Sequence, residues 1–144
     1  MEPAYDPRIG RDQLCMDVAQ LFAERSTCRR AHVGAAIARD GRILVTGYNG
    51  APAGLPHCGD ECHAGTNGGC KSSVHAESNC IAYAARYGIA VDGATLYCTH
   101  LPCRKCAELA VNSGIAKVVY LNDYRDHAGL ELLRSAGIDL EMLE

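Results

Sequence analysis

The stretch ATLYCTHLPCRKCAELAVNSGIAKVVYL, residues 94–121, holds a strand, a helix and a second strand in close succession. Ala94 to Thr99 has the β-branched and aromatic content of a strand. Pro102 opens a helix that runs to about Ser113, because proline at a helix entrance loses no useful donor. Gly114 ends that helix, and Lys117 to Leu121 is a second strong strand. Beyond it the pattern repeats: a helix over 127–136, stopped by Gly137, and a short strand from Ile138 to Met142. Strands that alternate with helices imply a parallel or mixed sheet with helices on its faces.

Reading upstream, a helix is expected from near His75 to Tyr87, closed by Gly88. Val33 to Ala38 and Ile43 to Tyr48 are short strands, and Asp40-Gly41 between them suits a tight hairpin turn. A helix over residues 12–26 precedes them, with Asp12 as its cap and Leu14, Val18, Leu21, Phe22 and Arg25 at helical spacing. The order is α-β-β-α-β-α-β-α-β. The long glycine- and proline-containing stretch from Asn49 to Val74 is a loop of the length usually pinned or functional.

The 144 residues, 48% hydrophobic and free of low-complexity runs, are expected to form one domain over 1–144. A net charge of −3 gives no general attraction to phosphate backbones, which speaks against a nucleic-acid partner. Met1 to Gly10 lacks a signal-peptide core and no stretch is long enough to span a bilayer. A cytoplasmic protein without a membrane partner is the expectation. Nine cysteines in such a chain point to metal binding more than to disulfides. Cys15, Cys80 and Cys98 fall inside regular elements and read as buried small hydrophobes.

His75-Ala76-Glu77 and Pro102-Cys103-Arg104-Lys105-Cys106 together offer three metal ligands and one carboxylate outside the ligand set. Zinc that does hydrolytic work keeps one position open for water, so His75, Cys103 and Cys106 are the right number. Two thiolates cancel the charge of Zn²⁺. Both ligand groups fall at helix starts, whose partly positive ends keep thiolates ionised. Glu77, two residues from the histidine, is placed to carry protons beside the metal. The pattern H-x-E…P-C-x-x-C is the signature of zinc deaminases. In that chemistry water activated at the metal attacks C4 of a cytosine ring, and Glu77 serves first as base and then as acid.

Around this core the chain resembles the deoxycytidylate (dCMP) deaminases of the cytidine deaminase superfamily, including the ComE-operon type and phage relatives. The resemblance spans roughly residues 12–142. It rests on Arg25-Ser26-Thr27-Cys28, Val33-Gly34-Ala35, Thr46-Gly47-Tyr48-Asn49-Gly50-Ala51-Pro52-Ala53-Gly54, His75-Ala76-Glu77-Ser78-Asn79 and Thr99-His100-Leu101-Pro102-Cys103. It implies an α/β fold, a three-layer α/β/α sandwich around a five-stranded mixed sheet. It also implies conversion of dCMP to dUMP and ammonia, feeding thymidylate synthesis. Asn49 would touch the sugar, backbone near Ala76 and Leu101 would read the pyrimidine, and Tyr124 would pack against the nucleotide. Asn49-Gly50 is also simply good turn chemistry. A 5′-phosphate needs cationic or N–H partners, and Arg25 and Arg125, with His127 behind them, are the candidates.

The same resemblance implies a second, structural zinc. Cys28, Cys58, Cys62 and Cys70 would form a closed Cys₄ site, with His57 and His63 as substitutes. It further implies a homo-oligomer, in many relatives a hexamer, with dCTP and dTTP as effectors and Mg²⁺ accompanying them. Tyr83 and Arg86 lie on the helix that would carry effector and subunit contacts. Cys80 stands where alanine is common. Two alternatives stay open: the same chemistry on cytidine, dCTP, cytosine, guanine or a tRNA adenosine, and a zinc-stabilised binding module without turnover.

Overall fold

The alternation of strands and helices builds the expected mixed sheet. The computed structural model describes residues 4–28, 30–57 and 73–144. Along the chain run α1 (Arg11–Ala23), β1 (Gly34–Arg39), β2 (Arg42–Tyr48), α2 (Ala76–Tyr87), β3 (Thr95–His100), α3 (Arg104–Asn112), β4 (Lys117–Asn122), α4 (Ala128–Ser135) and β5 (Asp139–Met142). The five strands lie in the order β2-β1-β3-β4-β5. β1 pairs antiparallel with both β2 and β3, whereas β3, β4 and β5 run parallel. Asp40 and Gly41 both take positive φ, 53° and 77°, as a two-residue hairpin turn requires.

Successive strand residues serve opposite layers, the period-2 rule of a sheet covered on both faces. Ala35, Ile37, Leu96, Cys98 and Val118 join one core with α2, α3 and α4 residues such as Cys80, Ala107 and Leu133. Ala36, Ala38, Tyr97 and Val119 face the other way, onto Cys15, Met16 and Ala19 of α1. The fold is therefore a three-layer α/β/α sandwich. Cys15, Cys80 and Cys98 are fully buried, as expected of small hydrophobes. Among the described residues no helix is long and apolar enough to cross a membrane.

Three local expectations are corrected. α1 is not seated on Leu14, Leu21 and their helical neighbours: Leu14 and Leu21 are exposed, and Cys15, Met16, Ala19 and Ala23 are buried instead. The reason is the closeness of approach. A Cβ on Gly34 would collide with the backbone of Ala19 and Ala23, so only small residues fit the contact face. Asp12 does not cap α1. Gly10 is the N-cap, and Asp12 instead accepts the Tyr97 hydroxyl at 2.6 Å, tying α1 to β3. Pro102 stands just outside α3, whose N-cap is Cys103.

Candidate active site and metal centre

His75 and Cys103 are the N-caps of α2 and α3, both in extended backbone conformation. Neither side chain caps its own helix. Cys106 sits one turn into α3 and is buried. His75 Nδ1 lies 3.4 Å from Cys103 Sγ and 3.4 Å from Cys106 Sγ. A tetrahedral zinc with ordinary Zn–N and Zn–S bonds sets such N···S separations at about 3.6 Å. The three donor atoms fit the ion, and they form the one such cluster among the described residues. The Cys103 thiol is held well below the usual thiol range, first by its hydrogen bond with Cys106 and then by His75. Ser78 Oγ lies 3.3 Å from Cys106 Sγ and braces it from α2.

Glu77 is the second residue of α2, 3% exposed, and stands outside the ligand cluster. Burial pushes its carboxyl above the usual range, opposed by Cys106 and His75. A cavity of about 370 Å³ opens over this centre, within the size range of small-molecule sites. His75, Ala76, Glu77 and Cys103 are among the residues that line it. Asn49, Leu101 and Tyr124 also line it, and Arg30 and Arg125 are its two arginines.

Residues 10–122 match the family described as the cytidine and deoxycytidylate deaminase zinc-binding region. The chain belongs to this family. It is 41% identical to ComE operon protein 2 of Bacillus subtilis (strain 168), over 95% of this chain and 73% of that protein. It is 34% identical to the deoxycytidylate deaminase of Enterobacteria phage T4, over 87% of this chain and 86% of that one. Among solved structures, the dCMP deaminase of cyanophage S-TIM5 in complex with dCMP and dUMP superposes with a TM-score of 0.83 at 34% identity. That match covers 91% of this chain and 95% of that chain. The family is a zinc-binding one, and the His75–Cys103–Cys106 cluster is a donor set that could hold the ion.

The remaining candidate residues divide between two places. Asn49 Oδ1 accepts the Val33 N–H at 2.9 Å and its Nδ2 donates to the Ala31 carbonyl at 2.8 Å. An amide has two donors and two acceptor sites, so Asn49 fixes the loop before β1 and keeps one donor for a ligand. The Leu101 N–H is already given to the Asn122 carbonyl at 2.9 Å. Its carbonyl and side chain are what it can offer the cavity. His127 is engaged with Asp123 at 3.0 Å. Arg25 lies elsewhere: with His57, Tyr83 and Arg86 it lines a second cavity of about 870 Å³ beside β2 and α2. Tyr83 and Tyr87 stack with ring centres 4.6 Å apart, and Arg86 lies over Tyr87 at 5.5 Å. Cys28 is buried at the edge of the first cavity. Cys58, Cys62, Cys70 and His63 lie outside the described residues. Arg30, Ser73, Ser78 and His100 were missed from sequence. Thr99-His100-Leu101 directly before the Cys103 motif was the available signal for one of them.

Proposed function

We propose that this chain deaminates dCMP to dUMP and ammonia. The observation that carries this reading is a His75–Cys103–Cys106 cluster with a buried Glu77 outside it, of which His75, Cys103 and Glu77 line a cavity of small-molecule size. His75, Cys103 and Cys106 would hold the zinc. Zinc, when bound, supplies the Lewis acidity that makes water a nucleophile near neutral pH. Glu77 takes a proton from the attacking water as its oxygen bonds to C4, and delivers that proton to ring N3. The second proton follows the same route to the amine, which leaves as ammonia while the C4 carbonyl forms. One carboxylate thus acts as base and then as acid, a task suited to a group whose affinity for protons is raised. Its burial keeps bulk water from competing for the proton.

Arg30 and Arg125, which line the cavity, supply the cationic partners a 5′-phosphate needs. Asn49 offers its spare amide donor to the sugar, Ala76 and Leu101 border the pyrimidine, and the Tyr124 ring packs on the nucleotide. The same reading takes Cys28 with Cys58, Cys62 and Cys70 as a structural zinc site. It also takes the protein as a cytoplasmic homo-oligomer, with dCTP and dTTP, accompanied by Mg²⁺, as effectors near Tyr83 and Arg86. The second cavity, bordered by those two side chains and Arg25, supports the effector assignment.

Ammonia release from dCMP, deoxycytidine and dCTP tests the proposal. Turnover of dCMP well above that of the nucleoside is expected. No ammonia from any of the three would defeat the enzyme reading, and equal rates on the nucleoside would remove phosphate recognition. Metal analysis that finds one zinc per chain would remove the second site.

A further inference from the structure

One cavity side chain has no part in the zinc and proton chemistry. His100 ends β3 and lines the cavity beside Leu101. Its Nδ1 lies 2.9 Å from the Thr99 hydroxyl. That hydroxyl already accepts the Gly34 N–H at 3.1 Å, across the antiparallel β1–β3 pair. Thr99 is 4% exposed, and among the described residues its hydroxyl has no partner other than these two.

Counting protons then fixes the imidazole. A backbone N–H can only donate, and a hydroxyl has one proton to give. If Nδ1 carried a proton, two N–H groups would converge on the Thr99 oxygen, and the hydroxyl proton would be buried without an acceptor. Buried polar groups are rarely left so. With Nδ1 bare, every proton in the chain Gly34 N–H, Thr99 O–H, His100 Nδ1 has an acceptor. The ring proton then sits on Nε2, which has no partner among the described residues.

We propose that His100 is a substrate-binding residue, held by the Gly34–Thr99 relay as the neutral Nε2–H tautomer, and that it donates to an uncharged oxygen of the pyrimidine or sugar. Burial independently lowers the pKa of His100, which favours the same neutral form. A neutral donor complements a carbonyl or hydroxyl oxygen, whereas the anionic phosphate is served by the guanidinium groups of Arg30 and Arg125 at the same cavity. The inference rests on the nucleotide-deaminase reading of the site.

Two measurements on the zinc-loaded full chain test it. In ¹⁵N spectra of the histidine side chains at neutral pH, His100 is expected to show a bare Nδ1 and a protonated Nε2. A protonated Nδ1 overturns the relay. In steady-state kinetics, His100→Leu is expected to raise KM by about tenfold or more, the loss of one good hydrogen bond, with kcat little changed. His100→Gln, whose amide reaches as far as Nε2, is expected to restore most of the affinity. His100→Asn, which reaches only as far as Nδ1, is expected to leave it low. The KM defect is expected for deoxycytidine and dCMP alike. A defect confined to dCMP places the contact on the phosphate and overturns the proposal, as does an unchanged KM in His100→Leu or equal rescue by both amides. If the parent releases no ammonia, the functional reading fails by itself, and the spectrum still decides the tautomer.

Discussion

Gly129→Ala sets two opposing effects against each other at the metal centre. Gly129 is the second residue of α4 and is buried against the segment that carries Cys103. Its added Cβ would meet the Pro102 carbonyl oxygen, with Cys103 C at 2.9 Å and Cys103 O at 3.0 Å. All three are backbone atoms, so no side chain can swing aside. Alanine gains at most about 1 kcal/mol of helix propensity over glycine, and less in a first turn. Overpacking a fixed contact costs about 1–3 kcal/mol. Overpacking wins, for a net loss of about 1–2 kcal/mol. In a chain of this size that lowers Tm by roughly 3–6 °C. The strain falls on the Cys103 carbonyl, which accepts the first hydrogen bond of α3 from Ala107 at 2.9 Å. Cys103 therefore shifts from its ligand position, and zinc affinity is expected to drop about tenfold, as when a supporting contact of a metal ligand is lost. Thermal unfolding of the zinc-loaded protein and competition against a chelator at fixed pH measure the two effects. A variant as stable as the parent and holding zinc as tightly would refute the reasoning.

Glu77→Gln preserves the volume of the buried carboxyl and cannot carry protons. Zinc content is expected to match the parent while kcat falls by about a thousandfold or more; more than a tenth of parental kcat would remove Glu77 from the mechanism. Tyr97→Phe deletes the 2.6 Å hydrogen bond to Asp12 on the opposite face of the sheet. Stability is expected to fall by about 1–2 kcal/mol in denaturant unfolding, with KM for dCMP unchanged. Burial holds His100 below its ordinary value of 6.5, so the folded protein resists its protonation. The stability this contributes is complete above pH 6.5 and is lost as pH falls from there through the lower folded value. Tm of the parent is expected to drop more steeply over that window than Tm of His100→Gln, and parallel curves would contradict the shift.

Local pattern carried most of this architecture. β2, β3 and β4 are dense in β-branched and aromatic residues, Gly88 and Gly114 close α2 and α3 with φ of 66° and 84°, and Asp40-Gly41 turns the hairpin. The candidate zinc ligands were legible because His75, Cys103 and Cys106 stand in the pattern H-x-E…P-C-x-x-C. What sequence did not yield depends on distance in space. The contact face of α1 is chosen by how closely it approaches Gly34, and hydrophobic spacing favoured the larger, exposed Leu14 and Leu21 over Cys15, Ala19 and Ala23. Asp12 looked like a cap because Tyr97, which takes it, lies far along the chain. Arg25 and Arg30 are near neighbours in sequence, yet they line different cavities, because the chain turns inward at Ser26 and Cys28, which are buried.

The location of the site follows from where the sheet changes sense. β3 has antiparallel β1 on one side and parallel β4 on the other, so the entry to β1 and the exits of β3 and β4 share one rim. Ligands in open α/β sheets bind beyond the carboxyl ends of the strands, and that is the rim shared here. The parallel crossover from β3 to β4 must then open α3 at this rim, which makes Cys103 its N-cap. β2, antiparallel to β1, ends at the same rim, and a two-way backbone bridge between Gly50 and Val74, at 3.1 and 2.7 Å, brings the start of α2 there. Gly47 lets that first turn sit against β2: a Cβ there would come within 2.6 Å of the Ala76 carbonyl. His75 as N-cap lies within reach of Cys103, and Glu77, two residues on, is buried. One topological constraint thus places His75, Cys103 and Cys106 at two helix N-termini, where partial positive charge favours thiolates, and buries the Glu77 carboxyl near them.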